Sequence, residues 1–299
     1  MNRILFEGIL DGVVIDRIIR NDEFSMPTMH FHPEFEVYYL LEGSRYYFIE
    51  NETYLINKGC LVLIDTMQIH KTSTFGKDVH DRILIELTNG PFSELFELVS
   101  GLSMKSFFSE YACILELNEA EQQQIEGLLF SLMDEFKHQQ PHFQSLVMMR
   151  IAELFLFVAR RKADKGTAHQ ASMSATAKHK RIRDVILYIS ENYNRVKSLE
   201  EISKHFFVNK SYLSRTFKEV TGFTVQEYIN INCVKKAQEL LEQSQMSVSE
   251  ISCCLGYGSV THFERMFRKY TETTPLKYRK KMRLTQQKVR ERKPEALIR

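Results

Sequence analysis

No stretch of this 299-residue chain supplies the roughly 20 consecutive apolar residues a membrane-spanning helix requires. The opening Met1-Asn-Arg-Ile-Leu-Phe-Glu7 also lacks the long apolar core of a secretory signal. The expectation is a soluble, cytoplasmic protein with no membrane partner. Cysteine is sparse. Cys60, Cys113, Cys233, Cys253 and Cys254 are odd in number and lack metal-ligand spacing, which argues against a disulfide framework and a zinc site. They read as reduced, partly buried thiols, and the adjacent Cys253-Cys254 reads as small core filling on a helix rather than a redox pair. Net charge is small as well, +2 overall, but it hides a division. Residues 1–177 carry 15 Lys+Arg against 25 Asp+Glu, a balance of −10; residues 178–299 carry 25 against 13, a balance of +12. A basic C-terminal part is the electrostatic footprint of a polyanionic partner. At this length the chain has room for two domains, each with its own core.

The basic part contains one helical unit twice. Ser198-Leu-Glu-Glu-Ile-Ser203 recurs as Ser247-Val-Ser-Glu-Ile-Ser252, an offset of 49. Arg215-Thr-Phe-Lys218 recurs as Arg265-Met-Phe-Arg268, and Tyr228 as Tyr278, an offset of 50. One residue has therefore been added in the Leu255-Gly-Tyr-Gly-Ser259 turn. Ser198 with Glu201, and Ser247 with Glu250, have the spacing of a capping box, in which each side chain satisfies the other residue's backbone N–H. Each copy then reads as helix, tight turn, helix. In the second helices Leu213 with Phe217, and Phe263 with Phe267, share a face at i, i+4 and anchor it in a core. The opposite faces present Ser211, Tyr212, Ser214, Arg215 and Lys218, then Val260, Thr261, His262, Glu264, Arg265 and Arg268. Short polar groups with arginines are what base edges and phosphates in a major groove require, so the expected partner is double-stranded DNA.

The run Ser247-Val-Ser-Glu-Ile251, Leu255-Gly-Tyr-Gly-Ser-Val-Thr-His-Phe263-Glu-Arg-Met-Phe267-Arg-Lys-Tyr-Thr271 and Thr274-Pro-Leu-Lys-Tyr-Arg279 resembles the signature of the AraC/XylS family of transcriptional regulators. The first unit and the bridge Gln226–Glu242 fit it too, so the likeness covers roughly the last hundred residues. Two departures stand out: Cys233 where the family often has arginine on the bridging helix, and Glu272 where a glycine often follows the last turn. The resemblance implies a regulator rather than an enzyme, an activator more often than a repressor, a homodimer, and contact with RNA polymerase.

The acidic part begins with short β-branched or aromatic runs, Val37–Leu41, Tyr46–Ile49, Thr53–Ile56, Cys60–Ile64 and Ile83–Leu87, separated mostly by polar or glycine-bearing turns. They predict a sandwich or small barrel. His30-Phe-His32-Pro-Glu-Phe-Glu36, then Gly43, Gly59, Asp65 and His70, resemble the two motifs of the cupin jelly roll, whose metal-binding members gather His, His, Glu and a later His. Even spacing predicts His30, His32 and Glu36 on one strand face. Three readings compete for His30, His32, Glu36 and His70: a metal-free effector pocket, a divalent-cation site, or a satisfied structural network. The resemblance favours the first, with a sugar or related metabolite as effector and no required cofactor. Tyr38, Arg45 and Tyr47 would add donors or stacking to such a pocket.

From Glu119 the period becomes helical: Ile125, Leu128, Leu129, Leu132, Met133 and Phe136, then, past Pro141, Phe143, Leu146, Val147, Ile151, Leu154, Phe155 and Val158. The second helix is apolar on more than one face, which fits either a partner helix, as the family resemblance implies for a dimer, or a helix covered on both sides within its own domain. Residues 163–178 are small and polar, the composition of a linker. The expectation is an α+β multidomain chain with a cupin-like β jelly roll over 1–105, a helical pair over 106–162 and a linker over 163–178. An all-α domain with two helix-turn-helix units follows over 179–285, then a tail over 286–299. The alternatives are a metal-dependent cupin enzyme fused to a DNA-binding domain, and a regulator controlled by a partner protein through the sensor.

Overall fold

The computed structural model describes residues 2–20, 32, 34–50, 52–66, 68–76, 79–88, 90–165, 177–195, 198–280 and 282. His30, most of the expected linker and the expected tail lie outside these. The chain divides into two compact units, residues 1–179 and 180–299.

The first unit is built on two antiparallel sheets. One has the strand order β1 (Asn2–Leu10), β2 (Val13–Arg20), β8 (His80–Leu87), β3 (Phe35–Glu42), β6 (Cys60–Ile64), β9 (Ile114–Glu116); the other has β5 (Glu52–Asn57), β4 (Ser44–Ile49), β7 (His70–Thr74). The five expected strands are present. β1, β2, β7 and β9 are additional, and they widen the larger sheet and complete the smaller one. Strand β3 is buried along nearly its whole length because both its faces are covered. Alternate residues divide accordingly. Val37, Tyr39 and Leu41, with Leu61, Leu63, Ile83 and Ile85, pack outward against helices. Tyr38 and Leu40, with Val62, Ile64, Tyr47 and Ile56, pack inward between the sheets.

The helices on the outer face are α1 (Pro91–Ser100), α2 (Met104–Tyr111), α3 (Glu119–His138) and α4 (Phe143–Lys165). α1 and α2 occupy a stretch with no helix in the sequence reading. Their Phe92, Phe96, Phe107 and Phe108 close around Phe155 of α4, with ring centroids 4.7–5.7 Å from it. α3 opens on a capping box in which Asn118 accepts from the Glu121 N–H and Glu121 accepts from the Asn118 N–H. Ile125, Leu128, Leu129, Leu132, Met133 and Phe136 of α3, and Val147, Ile151, Leu154, Phe155 and Val158 of α4, are buried as their period predicts, while Phe143 and Leu146 are half-buried.

The second unit contains α5 (Ala177–Asn192), α6 (Leu199–His205), α7 (Lys210–Thr221), α8 (Val225–Gln243), α9 (Val248–Cys254) and α10 (Val260–Thr271). A further helical segment covers residues 275–280. Ser198 and Ser247 accept from the N–H groups of Glu201 and Glu250 at the starts of α6 and α9. α8 packs against α7, α9 and α10. Its Val234, Ala237 and Leu241 meet Ile251, Leu255, Phe263 and Phe267, and its Tyr228 lies 5.5 Å from the Phe217 ring. Cys253 and Cys254 are both exposed, which corrects their expected role as core filling. α9 is short and turns Ile251 and Ser252 inward, leaving the next two positions to solvent.

Candidate functional site

Glu36 is the hub of the sandwich interior. Its carboxylate accepts from the Tyr47 hydroxyl at 2.8 Å, and its second oxygen lies 3.1 Å from His70 Nε2 and 3.3 Å from His32 Nε2. His70 Nδ1 is 2.9 Å from the Gln68 carbonyl. A carbonyl only accepts, so Nδ1 carries a proton. The Nε2–carboxylate approach is then favourable if Nε2 carries one as well. Burial works against charge on His70, yet the Glu36 charge and hydrogen bond raise its pKa. Burial likewise works to raise the Glu36 pKa, but the His70 charge and the bonds from His32, His70 and Tyr47 hold it well below the usual carboxylate range.

The three ligand-type side chains His32, Glu36 and His70 place one donor atom each within 4.8 Å of one another. Two imidazole nitrogens and a carboxylate oxygen suit a divalent cation, and a proton on His70 satisfies the same geometry. His32 precedes strand β3 rather than lying on it. It reaches Glu36 from outside the strand, so even spacing along a strand is not what aligns the two. His70 arrives from the opposite sheet.

Further along the interior, the Tyr38 hydroxyl lies 2.7 Å from His80 Nε2. Burial, followed by the charges of Arg45, Arg20 and Arg82, pushes His80 down to about 2, so it is neutral. Arg82 pairs with Asp16, and Arg17 with Asp81 at 2.7 Å. Arg45 is only 2% exposed.

A cleft of about 1200 Å³ opens beside Glu36. Its walls include Leu10, Asp16, His32, Glu34, Glu36 and Arg82, with Leu84 and Glu86 beyond them and Gln144 and Met148 contributed by α4. Burial raises the Glu86 pKa; His32 opposes the shift, while Glu36, Glu34 and Asp16 add to it. Of the described residues singled out from sequence, His32 and Glu36 line this cleft. Tyr38, Arg45, Tyr47 and His70 are buried behind it; Tyr47 and His70 turn their polar atoms to Glu36 and Tyr38 turns its hydroxyl to His80. Asp16, Arg82 and Glu86 were not singled out, although the alternation in His80-Asp-Arg-Ile-Leu-Ile-Glu-Leu87 places Arg82, Leu84 and Glu86 on one face.

In the second unit, α7 and α10 are the second helices of the two repeats. Asn209 caps α7 by accepting from the Ser211 and Tyr212 N–H groups, and Ser259 caps α10 through His262 N–H. Leu213, Phe217, Phe263 and Phe267 are buried. Ser211, Tyr212, Arg215 and Lys218 of α7 are exposed, as are Thr261, His262, Arg265 and Arg268 of α10; Ser214, Val260 and Glu264 are half-buried. The His262 ring rests edge-on to Tyr257 at 5.5 Å.

Two family models match, AraC-like ligand binding domain over residues 13–155 and helix-turn-helix domain over residues 202–281. The melibiose operon regulatory protein of Escherichia coli K12 is 24% identical over 273 residues, 85% of this chain and 84% of that protein. The transcriptional activator RhaS of Klebsiella pneumoniae is 23% identical over 82% of this chain and 85% of its own length. An uncharacterized HTH-type regulator of Bacillus subtilis, YfiF, is 24% identical over 80% of this chain and 74% of its own. These families and relatives are transcriptional regulators, not enzymes. No helix among the described residues is long and apolar enough to cross a membrane. With a ligand-binding domain ahead of a doubled helix-turn-helix, the chain belongs to the AraC family of DNA-binding transcriptional regulators.

Proposed function

We propose that this regulator is a cytoplasmic transcriptional activator whose first unit binds a sugar or related small metabolite in the cleft beside Glu36. The observation that carries this reading is the wall of the cleft. Asp16, Glu34, Glu36 and Glu86 are acceptors for hydroxyl groups, Arg82 is a donor, and Leu10, Leu84 and Met148 are apolar surface for a ring face. Relatives named for the melibiose operon and as the activator RhaS agree with a sugar and with activation. On this reading Tyr38, Arg45, Tyr47 and His70 position the wall rather than touch the ligand.

The DNA-reading side chains are Ser211, Tyr212, Ser214, Arg215 and Lys218 on α7, and Val260, Thr261, His262, Glu264, Arg265 and Arg268 on α10. α8, packed on both repeats, holds the two helices for successive major grooves about 34 Å apart. A second copy of the chain docks along α1 and α4. A groove of about 600 Å³ runs there between Leu95, Val99, Met149, Leu156 and Phe157, and Leu98 and Met149 are 83% and 51% exposed. Activation implies contact with RNA polymerase.

A thermal-shift screen of sugars and sugar derivatives against the full chain tests the reading, since a ligand that binds only the folded state raises the melting temperature. The hit should also change affinity for DNA, and Glu86→Gln should weaken it. A hit that leaves DNA binding unchanged, or a response insensitive to the cleft residues, would refute it. The convergence of His32, Glu36 and His70 supports a second reading, a divalent cation held there. Loss of the effector response on chelation, and its return with added metal, would replace the first reading with the second.

A further inference from the structure

The turns of the two repeats share a backbone but not a residue. In the second repeat Gly256 has φ +73°; at the matching place in the first, Phe207 has φ +51°. The hydrogen bonds agree. Phe207 N–H donates to the Lys204 carbonyl at 3.2 Å and Gly256 N–H to the Cys253 carbonyl at 2.9 Å, while Val208 and Tyr257 donate to Ser203 and Ser252, both at 3.0 Å. The turn therefore calls for a left-handed residue, and glycine adopts that conformation with no Cβ conflict. Phenylalanine does not. Phe207 is 97% exposed. Its neighbour Phe206 packs on Tyr188 and His205, with centroids at 5.5 and 5.0 Å, so the hydrophobic requirement of the turn is already met.

We infer that the Phe207 ring is a DNA contact of the first repeat, packing against deoxyribose or a thymine methyl at the groove edge. The inference rests on α7 being a groove-reading helix. The turn lies directly before the Asn209 cap of α7, and a reading helix meets base edges through its N-terminal residues, which brings this turn against the duplex. The neighbouring sequence fits a polyanion with apolar patches: Lys204 and Lys210 lie three residues to either side of Phe207 and, like the aromatic Tyr212, are exposed. Thymine methyls and sugars are the apolar parts of DNA a ring can cover. The contact is confined to the first repeat, because Gly256 has no side chain to offer.

The experiment uses the full chain and a duplex enriched from random sequence by the wild-type protein. Phe207→Gly should weaken binding about five- to tenfold, from the loss of buried apolar area. The same change should raise the melting temperature of the second unit by about 2–5 °C, from relief of the backbone. Phe207→Ala should lose the affinity without the gain in stability, and Phe207→Tyr should keep it. The salt slope should stay at the wild-type value, because no phosphate contact is removed. Unchanged affinity in both Phe207→Gly and Phe207→Ala would overturn the inference. So would a fall in transcription without a fall in affinity, which would assign the ring to a protein partner. Arg215→Ala on the same duplex separates the two claims: if it weakens binding and the Phe207 variants do not, only this inference fails, and if none does, the assignment of α7 fails with it.

Discussion

Glu36→Gln is the substitution that most sharply tests the ionic character of the sensor interior. Glutamine keeps the shape and can still accept from Tyr47, but it presents an NH2 group where the carboxylate met His70 and His32. With Nδ1 bound to the Gln68 carbonyl, His70 must release its Nε2 proton to accept from that amide. Two charge-assisted contacts become neutral ones, at about 1–1.5 kcal/mol each. The expected destabilisation of the first unit is about 2–3 kcal/mol, or a drop of roughly 5–10 °C in its melting temperature.

The pH dependence carries the sign. Glu36 has a depressed pKa, so its contribution is present above its ordinary value of 4.5 and is lost as pH falls through the depressed one. His70 has a raised pKa, so its contribution is complete below 6.5 and is lost as pH rises through the raised value. The gap between wild type and variant should therefore be widest near pH 5–6 and should narrow in alkali. Calorimetry that resolves the two units, with the His70 ring titration followed by NMR, measures both quantities. A loss below about 1 kcal/mol, with the His70 titration unchanged, would refute an ionised pair.

Arg215→Ala should cost about 1–3 kcal/mol of DNA affinity and relax preference at one base position, whereas Lys218→Ala should weaken all sequences evenly and lower the salt slope. Equal weakening of every operator variant by Arg215→Ala would make that arginine a phosphate clamp. Glu272, at φ +57° where α10 ends, occupies the place that Gly222 fills after α7 at φ +81°. Glu272→Gly should stabilise the second unit by about 0.5–1 kcal/mol in a denaturant titration, and a loss of stability would show that the carboxylate makes a contact worth more than the backbone relief. A fragment beginning near Lys178 should fold and bind the same DNA, more weakly if a dimer supplies avidity. A folded fragment that ignores DNA would require the first unit at the DNA surface.

The repeats were legible because their signals are local. A serine three residues before a glutamate, an i, i+4 apolar pair and a glycine at a left-handed turn each specify backbone without distant partners. Glu272 stands out in the sequence through the family resemblance, as a departure where a glycine often follows, and the structure gives the reason in its φ of +57°. The sensor was less legible. Its β-branched central strands stood out, but β1 and β2, with Glu7, Asp16, Arg17 and Arg20 among their apolar residues, did not. Asp16, Arg82 and Glu86 became part of a site only through strand register, which pairs Asp16 with Leu84 and Glu36 with Glu86. His32 was singled out with a strand argument, yet it meets Glu36 from outside the strand. The Cys253-Cys254 pair was misplaced because a seven-residue helix has too few turns for periodicity to fix its buried face.

On the proposed function, two helices of one chain read DNA together. Selection of duplexes from random sequence with the full chain, followed by footprinting, measures this directly. The expected result is a non-palindromic site for each protomer, with two protected major-groove segments about 10 base pairs apart on one face. Arg215→Ala should relax one segment and Arg265→Ala the other. A single protected segment relaxed by both substitutions, or no sequence preference above non-specific binding, would contradict it.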